Sequence, residues 1–193
     1  HTERLDVTFG YPPERLLKLV IPADPRVFHP VALTPAHREK YGCEIAFMSN
    51  VSQSSEQAVE KFIAPLVEPM GISRRAVQEI HDALWTLYRD GRTLEDRAEF
   101  LEEMLRFPEF MAAYEQPDET PPGAGEKRPD TLLRLFLWGL NDIIYRHVIL
   151  EWIEEEGLDL RLYGHGWERH PRFSKYAKGV LAHGDELNIA YQA

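Results

Sequence analysis

The stretch "LDLRLYGHGWERHP", residues 158–171, decides how the rest of the chain is read. Leu158, Leu160 and Leu162 alternate with Asp159 and Arg161, the two-residue period of a half-buried strand. The run stops at Tyr163, and Gly164 and Gly166 then bracket His165, with Trp167 following. Glycines at a strand end mark either a sharp turn or a place where something comes close to the backbone.

Upstream of this strand, Asp130 opens a long helix that runs to about Glu156. Leu133, Phe136, Leu137, Leu140, Ile143, Ile144, Val148 and Trp152 spread over nearly all of its faces, which predicts deep burial. Gly157 supplies its stop. Glu154, Glu155 and Glu156 sit where the helix dipole disfavours negative charge, and the sequence offers no reason for them. Downstream, residues 179–182 read as another short strand, and a helix starts near Glu186.

Earlier in the chain, residues 43–48 form a short apolar run, suited to a strand buried on both faces in a parallel sheet. A hydroxyl-rich loop, residues 49–55, leads into a helix carrying Val59, Phe62, Ile63, Leu66 and Val67 at helical spacing. Ser54 or Ser55 caps that helix, and Pro69 and Gly71 end it. Ser73 caps a second helix, and Thr93 opens a third, with Asp96 at capping-box spacing. A short helix covers residues 109–114, and a loop rich in proline and glycine occupies residues 116–129. Residues 1–41 are proline-rich: 16–21 suit a strand, 22–30 an extended connector, and 34–40 a helical turn.

The order is strand, helices, strand, loop, strand, helix. It predicts an α/β fold with a parallel sheet and helical crossovers. The helices between residues 55 and 115 exceed what one crossover needs and read as an insertion, which extends with the long helix to about residue 156.

The chain has 193 residues, 44% hydrophobic and 28% charged, with a formal charge of -10. That charge excludes a general nucleic-acid binder and a polybasic membrane anchor. No apolar run is long enough to cross a bilayer. A single cysteine, Cys43, allows no internal disulfide and fits a reducing, cytoplasmic compartment. The start at His1 and the helix running to Ala193 without a stop signal give the expectation of a piece of a longer protein.

The loop from Ser49 to Ser55 is the first candidate site, because ligands in open α/β sheets lie at the carboxyl ends of the strands. Backbone N–H groups at a helix start, with Ser and Asn side chains, suit a phosphate; simple capping explains the same residues. There is no GxGxxG and no Walker lysine. His165, His170 and His183 match no zinc spacing and read as loop histidines on a polar surface. His147 reads as a core histidine, and His81 and His29 have no evident partner. Glu95, Asp96, Glu99, Glu102 and Glu103 read as a solvated helix face. No Ser-His-Asp set is legible, and Cys43 at a strand start reads as inert.

Three segments taken together, "IPADPRVFHP" (21–30), "YGCEIAFMSNVSQS" (41–54) and "LDLRLYGHGWERHPRFSKYAKGVLAHGDELNIAYQA" (158–193), resemble the CgeB-like, spore-maturation-type glycosyltransferases. These form a GT-B family related to the family 1 glycosyltransferases. The resemblance covers about a third of the chain closely and carries through the Tyr163-Gly164-His165-Gly166-Trp167 signature, Gly179, Glu186 and Tyr191. It implies that residues 1–41 are an interdomain connector with the end of an N-terminal domain. Residues 42–193 would be part of a Rossmann-like, C-terminal GT-B donor domain, incomplete, with the helical insertion at about 55–156.

The implied activity is transfer of a sugar from a nucleotide-sugar donor to an acceptor that the resemblance does not name, with no metal and no further cofactor. The residues that carry over to donor binding are Ser49, Asn50, Ser52, Gly164, Gly166 and Trp167. The acceptor domain and the later acidic donor segment of the family have no counterpart here, so this chain alone is expected to be inactive. The alternative expectation is a non-catalytic helical module that binds a protein partner on an α/β scaffold. The widely apolar long helix would serve either reading, or self-association into a homo-oligomer.

Overall fold

The computed structural model describes residues 29–50, 53–94, 96–116 and 128–193. The expected strand at 16–21, most of the connector at 22–30, Ser52 and most of the loop at 116–129 lie outside the described residues. In chain order the elements are α1 (Pro35–Tyr41), β1 (Ile45–Met48) and a composite helix α2 (55–70). Then come α3 (Arg74–Arg89), α4 (Arg97–Met104), α5 (Pro108–Glu115) and a composite helix α6 (128–155). Last are β2 (Leu160–Tyr163), two 3-10 turns (Trp167–Arg169 and Ser174–Tyr176), β3 (Ala177–Gly179) and α7 (Asp185–Gln192).

The described residues fall into two compact units, one formed by 55–149 and the other by 29–54 with 150–193. The second unit holds the sheet. Its three strands are parallel in the order β1-β2-β3. Ile45 pairs with Leu160 and Met48 with Tyr163, so the two strands end level with each other. Alternation divides the side chains between two faces. On one face Ile45, Phe47, Leu160 and Leu162 pack with Leu150, Ile153, Trp167 and Phe173. On the other, Met48 and Tyr163 pack with Tyr41 of α1 and Ile189 and Ala190 of α7. Helices on both faces of a parallel sheet make this an α/β unit.

Two expectations for the strands change. Ala46 is exposed rather than buried, because among the described residues β1 pairs on one side only. The third strand is Ala177–Gly179 rather than 179–182: Gly179 takes the last paired position, opposite Tyr163, across a register shift. Val180 beyond it is exposed.

The first unit is helical, and its capping explains most boundaries. Ser73 Oγ accepts from the Ala76 N–H at the start of α3. Pro108 opens α5, where a missing N–H costs nothing. Asp96, read as the partner in a capping box, is itself the cap of α4: one oxygen accepts from the Ala98 and Glu99 N–H groups. Val77, Ile80, Leu84, Phe100, Phe110, Phe136 and Leu140 form its fully buried core.

Helix α6 begins at Arg128, two residues before the expected Asp130. It is not buried on nearly every face: Trp138 and Tyr145 are 48% and 40% exposed.

Candidate functional site

The glycine turn after β2 settles the question its sequence raises. Gly164 has φ of 133°, a conformation that side chains disfavour. A Cβ on it would overlap the Ser49 carbonyl and stand 2.9 Å from Asn50 Oδ1. What approaches is the chain's own backbone leaving β1. The ladder continues one step past the strands, with the Ser49 N–H donating to Tyr163 O at 3.0 Å and the Gly164 N–H to Gly179 O at 2.9 Å.

Two further hydrogen bonds lock the strand ends together. The His165 N–H donates to Asn50 Oδ1 at 2.8 Å, and Trp167 Nε1–H donates to Ser49 O at 2.6 Å. The Trp167 ring is 2% exposed and lies edge-on to Phe47 with centroids 5.9 Å apart. Gly166, at φ of 95°, turns the chain into the 3-10 segment that presents this ring.

Past the ends of all three strands lies an open cleft of about 300 Å³. Met48, Ser49 and Asn50 line it after β1, and Tyr163, Gly164 and His165 after β2. Val180, Leu181 and His183 line it after β3, and Leu187 and Tyr191 form the wall from α7. Among these described residues there is no carboxylate, in a chain whose formal charge is -10. Burial pushes the Tyr163 phenol up from its ordinary value, with Arg161 opposing, so it remains neutral at physiological pH. Of the donor-side residues expected from the sequence, the fold brings Ser49, Asn50 and Gly164 into the cleft. Gly166 and Trp167 stand behind it and support the turn. Ser52 lies outside the described residues.

Glu186 anchors the α7 wall. One carboxylate oxygen accepts from Tyr41 O–H at 2.6 Å and Lys40 Nζ at 3.2 Å; the other accepts from the Ala182 N–H at 2.8 Å. The Tyr41 hydroxyl, then the Ala182 N–H and the Lys40 ammonium, lower its pKa to about 2. Sequence reading marks Glu186 as a feature of the helix; its side-chain partners belong to α1, which lies about 145 residues earlier.

Of the three glutamates at the end of α6, Glu154 finds its reason. Glu154 accepts from Arg172 Nε at 2.9 Å, Lys175 Nζ at 2.8 Å and Tyr176 O–H at 3.1 Å. Buried Glu151 pairs with Arg172 as well. These cations offset the unfavourable dipole and tie α6 to the loop before β3.

The three histidines separate. His165 and His183 line the cleft. His170 is buried, not on a polar surface: it stacks on Phe173, and its Nδ1 accepts from the Phe173 N–H at 3.1 Å. His147 is buried, as expected. Among the described residues no group of three or more His, Cys, Asp or Glu side chains is placed to hold a metal. Burial is the largest influence on the Cys43 thiol and raises its pKa, which keeps it protonated and unreactive.

One arrangement is not legible in the sequence. His81 Nε2 is 3.0 Å from Ser55 Oγ and its Nδ1 is 2.9 Å from Asp82 Oδ1. So His81 does have partners, and a Ser-His-Asp line does exist. Ser55 is 1% exposed, and a nucleophile must be reached by its substrate. The line therefore joins the start of α2 to α3. The only sequence signal for it is the adjacent His81-Asp82 pair.

No family model, curated protein or solved structure matches the chain. No helix among the described residues is long and apolar enough to cross a membrane.

Proposed function

We propose that the sheet-bearing unit is part of the donor-binding domain of a CgeB-like GT-B glycosyltransferase, taking a nucleotide-sugar in the strand-end cleft. The observation that carries this reading is the cleft itself: it lies past the carboxyl ends of three parallel strands and has no acidic lining among the described residues. That is where ligands bind in doubly wound sheets, and the parallel order β1-β2-β3 is compatible with one half of such a sheet.

An anionic diphosphate gains from a lining without carboxylates, and the apolar side of Leu181, Leu187 and Tyr191 suits a base or sugar face. Side-chain donors at strand ends can stabilise a leaving diphosphate without a metal. Calorimetric titration with UDP, GDP and their sugars tests the reading, and saturable binding is the expected result.

A second reading is a partner-binding helical module. Phe62, Leu66 and Trp138 of the helical unit, 51%, 53% and 48% exposed, favour it. Binding of a nucleotide-sugar at the sheet separates the two.

A further inference from the structure

We infer that His165 and His183 form the phosphate-binding side of the cleft, two imidazoles on successive strand ends that together grip a diphosphate. This deepens the donor-cleft reading and rests on it for the nucleoside half of the ligand.

Both histidines line the cleft, His165 in the turn after β2 and His183 after β3. The backbone N–H of His165 is already taken by Asn50 Oδ1, so the turn's contribution to an anion must come through the imidazole. No lysine or arginine lines the cleft among the described residues. Among the described lining residues the imidazoles are thus the only side chains that can become cationic. Histidine is the side-chain type whose charge changes nearest physiological pH.

The surrounding charges leave this role open. On β2 stand Arg161 and Tyr163, and on β3 Lys178. Beside His165, Glu168 accepts from the Gly166 N–H at 3.1 Å and pairs with Arg169 at 3.5 Å. Beside His183, the Glu186 carboxylate is occupied by Tyr41, Lys40 and the Ala182 N–H. Tyr191 and exposed Asp185 complete the groups on α7. Asp185 alone opposes an anion from an exposed position, where solvent screens it.

The test is calorimetry of the full chain with inorganic pyrophosphate and with UDP, at about pH 5.5 and about pH 7.5. The His165→Gln/His183→Gln double variant, whose side chains are exposed, serves as the reference for the probe's own titration. The expected result is a ratio of wild-type to variant pyrophosphate affinity that grows about tenfold from the higher to the lower pH. A ratio that stays flat, or no pyrophosphate binding at either pH, overturns the inference. If pyrophosphate behaves as expected but UDP binds no tighter than pyrophosphate, the donor-cleft reading fails and the histidine site stands. If UDP binds equally well to both proteins at both pH values, the donor reading stands and the histidine site fails.

Discussion

The Ser49 carbonyl lies where a Cβ of Gly164 would be. This contact brings the ends of β1 and β2 together and shapes one side of the strand-end cleft. Gly164→Ala therefore meets both a steric overlap and an unfavourable φ. The expected cost is ~2–5 kcal/mol, read as a fall in the thermal midpoint. Gly179→Ala has open space around it and meets only a positive φ of 85°, so its expected cost is about 1 kcal/mol. Equal losses at the two positions would contradict the close approach.

Trp167 holds the same junction from behind. Trp167→Phe keeps most of the ring packing but loses the hydrogen bond to Ser49 O; about 1–2 kcal/mol is the expected loss. Trp167→Ala also opens a cavity against Phe47 and Phe173, with an expected loss of about 3–5 kcal/mol. Chemical denaturation of the two variants checks the order.

Much of this junction was legible in the sequence, and its cause was not. Alternation through Leu160 and Leu162 located β2, and Gly164 and Gly166 located its end. That Gly164 yields to Ser49 depends on a contact between segments about 115 residues apart, as the His165–Asn50 hydrogen bond shows, and no local pattern records it. The same holds for Glu154, whose partner Arg172 follows 18 residues later, and for His81 and Ser55, 26 residues apart. Helix starts were legible because Ser73 and Pro108 act locally. The third strand lies earlier than its sequence suggests because Gly179, which reads as a strand start, closes the strand.

Glu186 makes stability depend on acid. Its folded pKa of about 2 lies below the ordinary value of 4.5. A carboxylate so depressed stabilises the fold fully above the ordinary value and loses that contribution as pH falls toward the folded value. The difference in thermal midpoint between wild type and Glu186→Gln should therefore be largest above about pH 5 and shrink toward about pH 2. A difference that grows on acidification would reverse the assignment.

The Ser55-His81-Asp82 line should carry no hydrolytic chemistry. Ser55 is expected to remain unlabelled by a fluorophosphonate probe in the native chain, since its hydroxyl is buried. His81→Ala removes the partner of that hydroxyl and should cost ~1–3 kcal/mol. Stoichiometric labelling at Ser55 would contradict a structural role.

We propose that a nucleotide-sugar sits past the ends of the three strands. The most direct test is amide chemical-shift mapping of the full chain during titration with UDP- and GDP-sugars. Saturable shifts concentrated at Asn50, Gly164, His165 and His183 are expected. Shifts confined to residues 55–149, or none with any donor, would contradict it.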